Sequence, residues 1–161
     1  MRHPQITELF DRHANALVLF ARNWCQSPED AVQAAFVDLS QLPTSPRNPL
    51  AWLYRTTKCK ALNVARAEMR RGHHRQIAAS LAPQWFESQG DDPATQNAEL
   101  QLALEKLTAQ EREIVVARVW GEMGFEELAE VFDCGVATAF RRYKAALTKL
   151  KQLLEQDERR I

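Results

Sequence analysis

Apolar residues recur at helical spacing along nearly the whole chain, most clearly over residues 124–150. There the pattern predicts two short helices joined by a turn at 133–135. The first helix would bury a face made of Phe125, Leu128, Ala129 and Phe132. The second would bury Val136, Ala139, Phe140, Tyr143, Ala146, Leu147 and Leu150. We expect Gly135 to adopt the backbone angle that makes the turn possible, because glycine has no Cβ to oppose it.

The second of these helices carries polar and basic side chains outside its apolar stripe. They are Thr138, Arg141, Arg142 and Lys144. Two helices with a three-residue turn, the second basic and exposed, are typical of a helix-turn-helix whose second helix enters the DNA major groove. The alternative at this point is an ordinary helical hairpin with a solvated basic face.

The same spacing predicts helices elsewhere, at about 4–24, from Pro28, from Asn48 to about 79, from about Glu99, and from Thr108. Ser27 and Asn48 suit the position before a helix, and Pro28 and Pro49 suit its first turn. Thr108 and Glu111 have the spacing of a capping box. No segment predicts a strand. The sequence therefore indicates an all-α protein of two small helical domains, 1–79 and 99–161, with a linker at 80–98.

Charge is divided unevenly among these segments, although the 161-residue chain has a formal net charge of zero. Residues 43–79 contain eight basic and one acidic side chains, and residues 80–135 contain three basic and twelve acidic ones. Residues 136–161 are basic again, with seven basic and three acidic side chains. Two basic segments separated by an acidic one indicate two contacts with a polyanion.

The basic part of the third helix lies near aromatic residues. Its candidates for nucleic-acid contact are Trp52, Tyr54, Arg55, Lys58 and Lys60. Basic groups hold phosphates and rings stack on unpaired bases, so this composition favours single-stranded nucleic acid. Burial in the core is the alternative for Trp52 and for Tyr54.

Other features exclude several classes of function. The isolated cysteines Cys25, Cys59 and Cys134 argue against a disulfide framework and favour a reducing, cytoplasmic setting. We find no glycine-rich phosphate loop, nucleophile elbow or zinc-type Cys/His spacing, so we expect no enzyme, metal or cofactor. The apolar runs are too short to span a membrane, so we expect no membrane insertion.

Three motifs resemble sigma factors of the extracytoplasmic-function type, small members of the sigma-70 family that have only regions 2 and 4. SPEDAVQAAFVDL at 27–39 and NPLAWLYRTTKCKALNVAR at 48–66 resemble region 2. The segment 104–132 together with VATAFRRYKAALTKL at 136–150 resembles region 4. The motifs stand in the family's order and cover most of the chain.

The resemblance implies a protein that binds core RNA polymerase and directs promoter recognition and transcription initiation. It implies that Asp30, Gln33, Val37 and Asp38 contact the clamp helices of the beta-prime subunit, and that region 4 meets the beta flap. The aromatic and basic group at 52–60 would meet the −10 element, and the basic face of the last helix would meet the −35 element. An anti-sigma factor is a further expected partner.

The sequence departs from its relatives within the recognition helix. It has Gly135, Phe140 and Arg141 where relatives often have Ser, Lys and Ser. We therefore expect −35 readout to differ there. The alternative function is a helix-turn-helix regulator that acts on DNA without core polymerase; such a protein would not need the motif at 27–66.

Overall fold

All seven elements that the computed structural model shows within its described residues, 3–72 and 94–159, are helices. They are α1 (His3–Ala21), α2 (Pro28–Gln41), α3 (Pro49–Arg71), α4 (Ala94–Lys106), α5 (Ala109–Val119), α6 (Phe125–Val131) and α7 (Val136–Arg159). The all-α prediction is confirmed. None of the described helices combines the length and the apolar character needed to cross a bilayer.

Within the described residues the helix boundaries differ from the sequence patterns at two places. α1 ends at Ala21, three residues before the predicted end. α4 begins at Ala94, inside the segment predicted as a linker, because residues 94–106 contain no Gly or Pro to interrupt a helix. The predicted continuation of α3 from 73 to 79, and residues 80–93 of the predicted linker, lie outside the described residues.

Capping residues define where several helices begin. The Asn48 side chain accepts a hydrogen bond from the Ala51 amide at 3.2 Å, which confirms it as the cap of α3. Thr108 and Glu111 form the predicted reciprocal capping box of α5. Ser27 occupies the predicted position before α2, although its hydroxyl makes no capping bond. The start of α2 is favoured instead by Pro28 and by the acidic residues of the first turn.

The turn between α6 and α7 is built differently from the prediction. Asp133, with φ 53°, adopts the left-handed conformation, whereas Gly135 does not. The Cys134 amide donates to the Ala129 carbonyl at 3.0 Å, which is the long bond of a Schellman motif. Aspartate is among the few residues that tolerate this conformation, because its short polar side chain can bond locally.

The first three helices pack around a core whose largest fully buried members include Leu17, Phe20, Leu39, Leu53 and Tyr54. The last four helices bury a second set of apolar residues, which includes Leu104, Val115, Val116, Met123 and Leu128. The two sets form one continuous cluster, because α1 packs on α5 and α3 packs on α6.

Polar contacts also join the two halves of the molecule. The Asn23 amide group donates to the Ala109 carbonyl at 2.8 Å, and its oxygen accepts from Arg112 Nε at 3.0 Å. Asn48 donates to Glu127 Oε2 at 3.3 Å. Since these bonds connect the turn after α1 and the α3 cap with α5 and α6, the two domains predicted from the sequence are held together in a compact arrangement.

Candidate nucleic-acid interface

The recognition helix α7 presents most of its predicted DNA-contacting residues to the surface. Arg141, Arg142 and Lys144 are exposed, and Thr138 is half-buried. The Arg141 guanidinium donates to the Thr138 hydroxyl at 3.3 Å, so these two side chains lie together on the first two turns. The first turns of the second helix are the part that reaches base edges in helix-turn-helix proteins.

Arg142 lies on a different side of α7 from Arg141. It lines a groove of about 490 Å³ that also contains Lys58 of α3 and Glu113 of α5. The four predicted −35 residues therefore do not form one uniform face, because successive residues on a helix point about 100° apart.

Phe140 was predicted to belong to the buried stripe of α7, and this is wrong. Its side chain is 44% exposed, and Val136, one turn earlier, is 48% exposed. The buried stripe consists of Ala139, Ala146 and Leu150, with Tyr143 half-buried beside it. Positions 136 and 140 form an i, i+4 row beside that stripe, on the outer side of the helix.

Arg118 supports the helix-turn-helix, a role that the sequence pattern did not reveal. Its guanidinium lies 4.9 Å from the ring centroid of Phe125 and 5.9 Å from that of Tyr143. Its Nη1 donates to the Met123 carbonyl at 3.0 Å, which ties the end of α5 to the loop before α6. The sequence feature that indicates this role for Arg118 is its position as the single cation in the otherwise apolar segment 114–119.

The second candidate surface lies on α3, where Trp52, Arg55 and Lys60 line a groove of about 440 Å³. Asp38 of α2 and Glu130 of α6 complete its walls. Lys60 Nζ lies 2.8 Å from the Asp38 carboxylate. Three of the five residues predicted to contact the −10 element are thus brought together at one groove.

The structure does not place Tyr54 on this surface. Its side chain is fully buried, with its ring 4.8 Å from that of Phe20, and burial raises the pKa of its phenol. The hydroxyl lies against Gly121, where an added Cβ would come within 2.9 Å of Tyr54 Cζ and collide with the hydroxyl and with the Ala117 carbonyl. Tyr54 is therefore a core residue in this arrangement, as the alternative interpretation of the sequence expected, because α5 and the loop after it cover the ring.

Lys58 is held between the two halves of the molecule. Its ammonium lies 3.1 Å from Glu113 Oε2 and 5.2 Å from the ring centroid of Trp24. Burial raises the pKa of Glu113, and Lys58 opposes that shift by favouring the carboxylate. The sequence did not single out Glu113, although an acidic residue directly before the apolar run at 114–117 is unusual on a buried face.

The predicted polymerase-contacting residues of α2 form an accessible face. Asp30 and Gln33 are exposed, Val37 is 52% exposed, and Asp38 is half-buried in its ion pair with Lys60. An exposed valine beside carboxylates gives this face an apolar centre with an acidic rim. That composition is typical of a protein-binding patch.

Comparisons with known proteins agree with this geometry. Residues 97–150 match the family model described as sigma-70, region 4. The chain is similar to CnrH, solved in complex with the cytosolic domain of CnrY, with 25% identity and a TM-score of 0.60; the match covers 97% of this chain and 91% of CnrH. No curated protein matches the sequence.

The fold is also that of the sigma factor RpoE from Bartonella quintana, solved in complex with the anti-sigma factor NepR. That match has 24% identity and a TM-score of 0.60, and it covers 92% of this chain and 95% of RpoE. The helices and the helix-turn-helix thus define a DNA-binding transcription protein. The chain carries a sigma-70 region 4 at 97–150 and is similar over most of its length to sigma factors of the extracytoplasmic-function type. It directs transcription initiation, with core RNA polymerase and promoter DNA as its partners.

Proposed function

We propose that α7 reads the −35 element through its first turns while the α3 surface and the loop before it contact the −10 element. Thr138, Arg141, Arg142 and Lys144 would serve the first contact, and Trp52, Tyr54, Arg55, Lys58 and Lys60 the second. The observation that carries the proposal is the basic face of α7, which is exposed within a segment that matches sigma-70 region 4.

The accessible face of α2 is proposed to bind the polymerase clamp helices. Val37 supplies an apolar contact at its centre, and Asp30 and Gln33 supply polar groups around it. Asp38 would have two roles, because it would contact polymerase and would also hold the Lys60 ammonium. Binding of polymerase at Asp38 would then release Lys60 toward DNA.

Contact with the −10 element requires the two halves to separate. Tyr54 is covered by α5 and the loop that follows it, and Lys58 is ion-paired with Glu113. Both residues become available to DNA only if α3 leaves the last four helices. We therefore infer that the compact arrangement is the free form, and that polymerase favours an open one by binding each half at a separate place.

An anti-sigma factor is proposed as a further partner. CnrH and RpoE were each solved with a second protein, CnrY in one case and the anti-sigma factor NepR in the other. We propose that this chain acts in the cytoplasm, where polymerase is found, and that it has no enzymatic activity of its own.

The test of the proposed function is run-off transcription with purified core polymerase and a library of genomic promoter fragments. We expect transcripts that depend on addition of this chain. A chain that binds duplex DNA specifically but never supports a transcript would instead be a regulator that acts without core polymerase.

A matched pair of charge-reversal variants tests the polymerase-binding face of α2. Asp38→Arg should weaken capture of core polymerase, because it reverses a charge on the proposed face. Asp11→Arg makes the same change at an exposed position on α1 and should leave capture unchanged. Equal capture by both variants would remove Asp38 from the interface.

Arg142 is tested by its effect on DNA sequence preference. Arg142→Ala should weaken holoenzyme binding to the −35 element by about 1–3 kcal/mol if the guanidinium reads a base. The same loss on a scrambled −35 sequence would assign Arg142 to a phosphate. Arg141→Ala serves as the matched comparison one residue away on the adjacent face.

A further inference from the structure

An exposed aromatic ring stands among the basic residues of the recognition helix. Phe140 is 44% exposed, and Arg141 and Lys144 are exposed beside it. Exposure of a large apolar side chain has a cost in water that contact with a partner removes. Phosphate binding cannot use this ring, because phenylalanine has neither a positive charge nor a hydrogen-bond donor.

The position of the Phe140 ring is set by its neighbours. Its centroid lies 5.2 Å from that of Phe125, with an angle of 66° between the two ring planes, which is an edge-to-face contact. The Lys144 ammonium lies 5.5 Å from the Phe140 centroid. The Arg118 guanidinium packs on Phe125 from the end of α5 and thereby supports the same cluster. A ring supported in this way loses little side-chain entropy when it docks.

The chemistry of base edges indicates what such a ring can recognise. In the major groove, guanine, adenine and cytosine present hydrogen-bond donors and acceptors, whereas thymine also presents a C5-methyl group. An apolar ring gains free energy from contact with that methyl group and gains no hydrogen bond from any base.

We propose that Phe140 is a specificity-determining residue that contacts the C5-methyl group of a thymine in the −35 element. This inference rests on the proposed placement of α7 in the −35 major groove. Arg141 is the next residue along α7 and Lys144 lies one turn further on, and both supply the charge that holds the adjacent backbone. The ring itself supplies discrimination at one base pair.

The experiment uses holoenzyme assembled from the full chain and core polymerase. A −35 duplex is first selected from a randomised library by binding to this holoenzyme. The duplex is then resynthesised with each thymine replaced in turn by deoxyuridine, which removes the methyl group and leaves every hydrogen-bonding atom. We expect one position at which deoxyuridine weakens binding about fourfold, the factor that corresponds to one buried methyl-sized group.

The variants show whether Phe140 causes that sensitivity. Phe140→Ala should bind the thymine and deoxyuridine duplexes equally, and Phe140→Leu should keep part of the difference. Leu102→Ala, which removes a 52% exposed apolar side chain from α4, should keep all of it. Thermal unfolding of each variant checks that the fold is intact.

Two results would overturn the inference. One is wild-type holoenzyme that binds the selected −35 duplex tightly yet is insensitive to deoxyuridine at every thymine, and this scan needs no variant. The other is a Phe140→Ala or Phe140→Leu holoenzyme that keeps the full loss of binding on replacement of thymine by deoxyuridine. Each of these two results would assign the Phe140 ring to packing or to a protein partner. Holoenzyme that does not prefer the selected −35 sequence over a scrambled one would instead overturn the proposed role of α7.

Discussion

The two surfaces proposed to meet promoter DNA differ in how much of each is available in the compact arrangement. On α7, Phe140, Arg141 and Lys144 are exposed. On α3, Tyr54 is fully buried and Lys58 is ion-paired with Glu113 of the opposite half. The α7 surface can accept DNA as it stands. The α3 surface must first lose its contacts with α5 and with the loop that follows α5.

This difference has a physical origin in the composition of the two helices. The exposed face of α7 carries Arg141, Arg142 and Lys144, and burying these charges without a partner for each would cost the free energy of their desolvation. α3 instead alternates basic residues with Tyr54, Thr57 and Ala61, which are fully buried. A surface of this kind can pack on protein in the free chain and contact DNA after the halves separate.

The largest predicted effect compares one aromatic residue from each surface. Tyr54→Ala should lower the free energy of unfolding by about 3–5 kcal/mol, because it leaves a cavity beside Phe20. Phe140→Ala should lower it by only about 1 kcal/mol, the scale of one ring-pair contact. Urea denaturation of both variants measures the difference. Equal losses would show that the two surfaces are equally integrated into the core.

A second prediction concerns the close approach between the two halves. Gly121→Ala should cost about 1–3 kcal/mol of stability, because the new methyl group collides with Tyr54 and the Ala117 carbonyl. Gly72→Ala is the control, because no atom lies within 4 Å of the added Cβ, and it should change stability by less than about 0.5 kcal/mol. Thermal unfolding of the two variants measures both effects, and similar losses would contradict the contact.

A third prediction uses the pH dependence of the Lys58–Glu113 contact. Burial raises the pKa of Glu113 above its ordinary value of 4.5, so the folded chain holds this proton more tightly than the unfolded chain does. The stabilisation by the protonated form is complete below pH 4.5 and is lost as the pH rises through the folded pKa.

Glu113→Gln should remove this pH dependence, because the amide mimics the protonated carboxyl group at every pH. Its stability relative to the wild type should therefore rise from pH 4.5 toward the folded pKa and then stay constant. Urea denaturation across that range measures the difference. If the stability of Glu113→Gln relative to the wild type instead falls as the pH rises, the ion pair with Lys58 outweighs the effect of burial on the Glu113 carboxylate.

The smallest predicted effect is at the exposed edge of the α3 surface. Asp38→Asn breaks the ion pair with Lys60, in which both side chains remain partly exposed, at 41% and 32%. Such pairs contribute about 0–1 kcal/mol, so the free energy of unfolding should change little. A loss of more than about 2 kcal/mol in urea denaturation would show that this pair is structural.

Much of the local structure was predictable because it depends on neighbouring residues. The Asn48 cap, the Thr108–Glu111 capping box and the α6–turn–α7 motif each follow from side chains a few positions apart. The motifs at 27–66 and 104–150 likewise predicted a sigma factor. The Schellman turn shows the limit of this reasoning, because both Asp133 and Gly135 fit it and only the bond from Cys134 to Ala129 selects Asp133.

The amino-acid sequence by itself determined the helical class, the order of the helices and the two basic segments, since periodicity and charge are properties of the chain. Only the tertiary structure decided which candidate residues are available. Tyr54 and Phe140 both lie near basic residues in the sequence, yet Tyr54 is covered by Gly121 and Phe140 faces outward on Phe125. Their exposure depends on residues 67 and 15 positions away along the chain, and packing at that separation is not encoded in any local pattern.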